Sequence, residues 1–167
     1  MKTPIAFNSL VLGRILERQA RYRGREEAVV FDERRLSYVE FNAYVNRWGN
    51  ALLGLGAARG DRVAALLPNS LELLATYWSC AKLGSAAVPL SPLLLADGLV
   101  SLLNDARPRV IITSLSLQPV LQAALPRLTN GPAPVCVLTD GEASGVDSHE
   151  ALIKAASASA PAVAVEA

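Results

Sequence analysis

A chain of 167 residues is long enough for one domain with a real core and too short for two large ones. Sixteen lysines and arginines against fifteen aspartates and glutamates leave a formal charge of +1, which removes any electrostatic case for nucleic acid or an anionic membrane as the main partner. Charged residues make up 19%, below the roughly 25% of ordinary soluble domains, and the mean hydropathy is +0.30, so part of the surface is expected to be covered unless the composition reflects a coding bias.

Residues 1–7 lack the basic start and long apolar run of a secretory signal, and Gly, Pro or charge interrupts every apolar stretch before it could span a bilayer. No transmembrane segment is expected, and the cytoplasm is the default location. Cys80 and Cys136 both stand in apolar surroundings and read as small core side chains of a reducing compartment.

Along the chain, Asn8 or Ser9 caps a first amphipathic helix that runs to Tyr22, with Leu12, Ile15, Leu16 and Gln19 to Ala20 on its apolar face, and Gly24 ends it. Arg21, Arg23 and Arg25 are followed at once by Glu26 and Glu27, so they read as a solvated turn and not a phosphate patch. Residues 28–31 and 36–38 are β-prone and flank a polar four-residue turn at 32–35, which predicts an antiparallel hairpin. Ser37 and Glu40 then have the spacing of a capping box. The helix they open carries Phe41, Val45, Trp48, Leu52 and Leu55 on one stripe. Gly54, Gly56 and Gly60 close this helix and precede a strand, whereas a dinucleotide-binding loop follows a strand and opens a helix, so a nucleotide-binding Rossmann protein is set aside.

Residues 60–92 form the best-specified unit, a strand at 62–67, a helix and a second strand at 86–90. Asn69 or Ser70 caps the helix. Leu71, Leu74, Ala75, Trp78, Ala81 and Leu83 recur along it, and Gly84 stops it. Pro89 belongs near the end of the second strand, because proline cannot donate to an interior ladder. A helix at 96–106 follows with Leu99, Leu102 and Leu103 buried, then a strand at 110–113, a helix at 118–128 with Pro119 in its first turn, a strand at 135–139, a polar loop at 140–147 and a short helix at 148–156. This alternation predicts an α/β fold, a mainly parallel doubly wound sheet with helices on both faces, plus the small N-terminal hairpin. Residues 1–156 are expected to form the α/β subdomain, and residues 157–167 a flexible tail of small residues with little to pack.

Candidate sites are few. His149 is the only histidine. Asp140, Glu142, Asp147 and Glu150 lie near it without a ligand spacing, which reads as a solvated loop. Cys80 has no neighbouring base and an apolar setting unsuited to a nucleophile. Trp48, Tyr77 and Trp78 read as packing, and Asn69-Ser70 as a helix end that caps itself.

The ordered set Leu36-Ser37-Tyr38, Gly60-Asp61-Arg62-Val63-Ala64, Leu67-Pro68-Asn69-Ser70, Lys82-Leu83-Gly84, Val88-Pro89-Leu90 and Val110-Ile111-Ile112-Thr113 resembles the N-terminal region of the AMP-forming acyl-CoA synthetases, a family that includes luciferases and peptide-synthetase adenylation domains. For a full-length parent the resemblance implies that a carboxylic acid, fatty or related, is activated by ATP with Mg2+ and passed to coenzyme A as a thioester. The family's T-S-G-T-T-G-x-P-K-G phosphate loop is absent here, so catalytic, cofactor-binding and metal residues are all expected to be none in this chain. By family spacing that loop would begin shortly beyond Ala167, toward which the tail leads. The expectation is an N-terminal fragment of a carboxylate–CoA ligase, inactive alone. A stand-alone, non-catalytic α/β interaction module of the same ancestry is the alternative, and a homodimer through an exposed sheet edge or apolar face remains open.

Overall fold

The computed structural model describes residues 11–165, so the expected caps Asn8 and Ser9 lie outside the described residues. A two-stranded hairpin, β1 (Glu27–Phe31) and β2 (Arg34–Ser37), stands beside a five-stranded sheet. The sheet is built from β3 (Arg62–Leu66), β4 (Ala86–Leu90), β5 (Val110–Thr113), β6 (Val135–Leu138) and the two-residue β7 (Asp147–Ser148) in the order β4-β3-β5-β6-β7, with every pair parallel. The helices are α1 (Leu12–Tyr22), α2 (Tyr38–Gly54), α3 (Leu71–Leu83), α4 (Ala96–Ala106), α5 (Gln118–Ala124) and α6 (His149–Ala155).

Strand alternation divides the core in two. Val63 and Ala65 of β3 with Val110 and Ile112 of β5 face one layer, made of α2, α3 and α6 with α1 laid over it. Ala64, Leu66 and Ile111 face the other, where Leu99 and Leu103 of α4 and Leu121 of α5 pack. Both faces are therefore buried, which is why these strands read as unbroken apolar runs.

Local chemistry fixes the ends of the elements. Glu40 N–H donates to Ser37 Oγ while Ser37 N–H donates to the Glu40 carboxylate at 2.9 Å, completing the capping box on α2. Ser70 Oγ accepts from Leu73 N–H at the start of α3, and Gly84 ends that helix in the left-handed region at φ 66°. Ala86 N–H donates to Asp61 O, so by the alternation of a parallel ladder the Pro89 nitrogen stands on the free side of edge strand β4, where no ladder bond is lost.

Several boundaries differ from expectation for physical reasons. The hairpin turn has two residues, because Asp32 takes a positive φ of 50° and lets Phe31 pair directly with Arg34. The fifth helix ends at Ala124 and tightens into a 3-10 turn, Leu125–Arg127, around Pro126. Leu102 faces solvent at 43% exposure, since α4 buries only the Leu99 and Leu103 side. Leu12 is likewise exposed, because α1 approaches α3 through Gly13, where a Cβ would lie 2.8 Å from Ala81 O. Helix α3 is sandwiched, so it buries Thr76, Ser79 and Lys82 beside its apolar residues. Each has a partner: Ser79 Oγ donates to Val45 O, and Lys82 Nζ donates to Glu17 Oε1 and Asn42 Oδ1, both at 2.9 Å.

After α6 the small-residue segment packs along α2. Asn46 Nδ2 donates to Ala158 O, Arg47 to Ala156 O, and Asn50 Nδ2 to both Ser157 O and Ser159 O. Pro161 covers Gly49, and Val165 reaches Gly84. The small side chains are what allow this close approach.

Candidate functional site

In a parallel sheet of this order, ligands favour the C-terminal ends of the strands, beside the point where the winding reverses between β3 and β5. The N-terminus of α3, the loop after β5 and the start of α6 all meet this edge. A cleft of about 350 Å³ opens there, lined by Arg34 of β2, Tyr44 of α2, Glu72 of α3, Thr139 after β6, and His149 and Glu150 of α6.

The cleft is wired internally. Arg34 Nη1 lies 3.1 Å from Glu72 Oε1, and Tyr44 O–H donates to the same oxygen at 3.3 Å. The Arg34 guanidinium stands over the Tyr44 ring, with its carbon 5.8 Å from the centroid. Burial, then the Glu72 carboxylate, push the Tyr44 hydroxyl well above its ordinary pKa, so it stays a protonated donor. Behind it Trp48 Nε1 donates to Thr76 Oγ1, which donates to Glu72 O.

His149 is 4% exposed and meets Trp48 edge-on at 4.5 Å and Tyr44 at 5.9 Å. The expectation of a solvated histidine is therefore corrected: Ser148 caps α6 and turns the imidazole inward onto the aromatic pair. Burial lowers its pKa to about 4, with Glu72 opposing and Arg34 adding to the shift. The ring is neutral at physiological pH and stands with Nε2 unpartnered among the described residues.

Asp140, Glu142, Asp147 and Glu150 are exposed and do not converge on His149, and among the described residues no group of acids, histidine or cysteines is arranged to hold a metal. Asp140 instead accepts from Leu115 N–H at 2.7 Å, tying the loops after β5 and β6 together. Cys80 is buried, and burial pushes its thiol up to about 11, which leaves it protonated and inert. Trp48 is core, Trp78 half-buried and Tyr77 39% exposed, so they build no common stacking surface. Gly56 and Gly60 take φ 84° in the turn from α2 to β3, remote from the C-terminal edge. Asn69 is exposed and Ser70 caps its own helix. Arg23 pairs with Glu26 in an exposed turn.

Chemically the cleft is a joint. It fastens the hairpin, α2 and α3 through the shared Glu72 carboxylate, and α6 joins them by setting the His149 ring against Tyr44 and Trp48. Phosphoryl or adenylyl transfer needs backbone N–H groups, a lysine and a metal site converging on the phosphates. The residues described here do not fit that requirement. The Arg34–Glu72–Tyr44 joint escaped sequence reasoning because its members lie far apart in the chain. Position of Glu72 in the first turn of α3 was the only signal available.

The AMP-binding enzyme family matches residues 16–165. The chain is 34% identical over 154 residues to the long-chain-fatty-acid–CoA ligase FadD13 of Mycobacterium tuberculosis, covering 91% of this chain and 29% of that one. Among solved structures, the anthranilate CoA ligase AuaEII in complex with anthranoyl-AMP superposes with a TM-score of 0.85 at 27% identity, over 100% of this chain and 32% of that one. The N-terminal domain of FACL13 from Mycobacterium tuberculosis gives 0.78 at 30% identity, over 92% of this chain and 38% of that one. The chain thus spans about three tenths of the length of the FadD13 relative.

Proposed function

The chain belongs to the AMP-binding enzyme family, and from that premise we propose that it is the N-terminal scaffold of an AMP-forming carboxylate–CoA ligase. The observation that carries the reading is that 91% of this chain aligns with only 29% of a fatty-acid ligase, while the family match runs over residues 16–165. In the longer protein a carboxylic acid is activated by ATP, with Mg2+, and transferred to coenzyme A. A fatty acid is the favoured substrate class, from the identity to FadD13.

This chain's own part is architectural. The serine-capped starts of α2, α3 and α6 and the paired Glu72 carboxylate supply a platform, while chemistry comes from segments outside it. Leu93 and Leu95, 88% and 77% exposed just after edge strand β4, support the reading, because such an apolar edge suits further chain packed against it. A stand-alone interaction module is the second reading, favoured by the same exposed leucines.

Carboxylate-dependent ATP–pyrophosphate exchange tests the proposal. The 167-residue chain is expected to be silent with fatty, aromatic and amino acids alike. A chain extended through a glycine-rich phosphate loop and the rest of the family length is expected to exchange, with fatty acids preferred. Exchange by the short chain refutes the scaffold assignment, and silence of both favours the interaction module.

A further inference from the structure

We infer that Asn130 is a site of spontaneous covalent modification, in which its side-chain amide is lost through attack by the following glycine. Asn130-Gly131 is the only asparagine–glycine pair in the sequence. It lies exposed in the loop between the 3-10 turn and β6, outside any helix or strand. Gly131 takes a φ of 87° and has no side chain to shield its nitrogen, and its N–H has no hydrogen-bond partner among the described residues. Asn42, Asn46, Asn50 and Asn104 are held within helices α2 and α4, where the next backbone nitrogen is committed to the helix, and Asn69 precedes serine.

The chemistry needs only water. The Gly131 nitrogen bonds to Asn130 Cγ, the Cγ–Nδ2 bond breaks, and ammonia departs with the Gly131 proton, leaving a cyclic imide. One water then opens the ring at either carbonyl, giving aspartate or isoaspartate, so one water is consumed and one ammonia released without change of oxidation state.

Its consequence is written in the contacts of Asn104 on α4. Asn104 Oδ1 accepts from Thr129 N–H at 2.8 Å and from Asn130 N–H at 3.2 Å, and Asn130 Nδ2 donates to Asn104 O at 3.3 Å. Modification replaces that donor by a carboxylate oxygen facing a carbonyl and close to Asp105, which lines a shallow surface hollow together with Asn104 and Asn130, so the loop loses its clasp on α4. Isoaspartate also lengthens the backbone at the clasp. The formal charge of the chain falls from +1 to zero, a direction that favours self-association.

Trypsin reports the event cleanly, because the peptide of residues 128–154 contains Asn130 and no other asparagine or glutamine. Folded wild-type chain incubated at mildly alkaline pH is expected to accumulate this peptide with the mass of an acid in place of an amide, part of it as isoaspartate. G131A is expected to suppress the modification severalfold, and N104A to accelerate it by removing the Oδ1 acceptor that holds the Thr129 and Asn130 backbone N–H groups and so loosening the loop. The Asp140-Gly141 pair in the same peptide isomerises without that mass change, so the mass shift reports Asn130 alone and the isoaspartate is assigned to residue 130 by fragmentation. A folded chain whose peptide stays unmodified, whether or not the urea-unfolded chain reacts, overturns the inference, as does equal modification of G131A.

Discussion

Replacing His149 by phenylalanine should remove an acid sensitivity that the fold creates by burying an imidazole. His149 is 4% exposed, and its pKa falls from 6.5 to about 4, chiefly because burial penalises the charged ring. In the unfolded chain the same group binds a proton near 6.5. Between these values the unfolded state holds more protons, so stability is complete above about pH 6.5 and is lost as the pH falls toward 4. A gap of about two and a half pH units corresponds to roughly 3 kcal/mol in full below pH 4, of which about 2 kcal/mol is already lost at pH 5, a large share of the about 5–15 kcal/mol that holds a typical domain. Phenylalanine keeps the edge contacts to Trp48 and Tyr44 and removes the unpartnered Nε2. The assay is urea unfolding of wild type and H149F at pH 7.5 and pH 5. Glu26 and Glu40, whose pKa values are lowered by Arg23 and by Ser37, make both proteins somewhat weaker in acid, and the difference between the curves cancels them. The expected result is a wild-type loss at pH 5 that H149F largely escapes. Parallel curves for the two proteins would refute the burial argument.

Ser37→Ala should lower stability by about 1 kcal/mol by removing the oxygen that accepts from Glu40 N–H, measured by denaturant midpoint with an unchanged slope. Glu17→Ala leaves the Lys82 ammonium, whose side chain is only 2% exposed, with the neutral Asn42 oxygen in place of a counter-charge, and should destabilise more than the double variant Glu17→Ala with Lys82→Met. Equal losses in single and double variants would show that the ammonium is not confined. Asn50→Ala removes two bonds to the backbone at Ser157 and Ser159 and should raise hydrogen exchange across residues 157–165 while leaving β3 and β5 protected.

Four strands of the parallel sheet were legible because β3 and β5 are buried on both faces and each run is bounded by turn residues, whereas the two-residue β7 falls in the stretch read as a polar loop, being too short and polar to show a strand pattern. The capping box and Gly84 fixed helix ends through interactions within a few residues. What the sequence left dark depends on long-range packing. Thr76, Ser79 and Lys82 broke the apolar stripe of α3, since partners on α1 and α2 satisfy them. Asn46, Gly49 and Asn50 form a small and polar face on α2, a readable signal that a strand of backbone would lie there. His149 looked solvated beside four acids. Its inward turn follows from the aromatic pair on α2, more than ninety residues away in the chain. No sequence pattern joined Arg34, Tyr44 and Glu72, because three separate elements deliver them.

Titration calorimetry of Mg-ATP into the 167-residue chain tests the central claim most directly. A scaffold in which Ser70 and Ser148 cap the starts of α3 and α6 at this edge and the cleft carboxylate is already paired should give no saturable heat. Saturable binding, abolished by substitution of Arg34 or Glu72, would place the nucleotide site inside this chain and contradict the account.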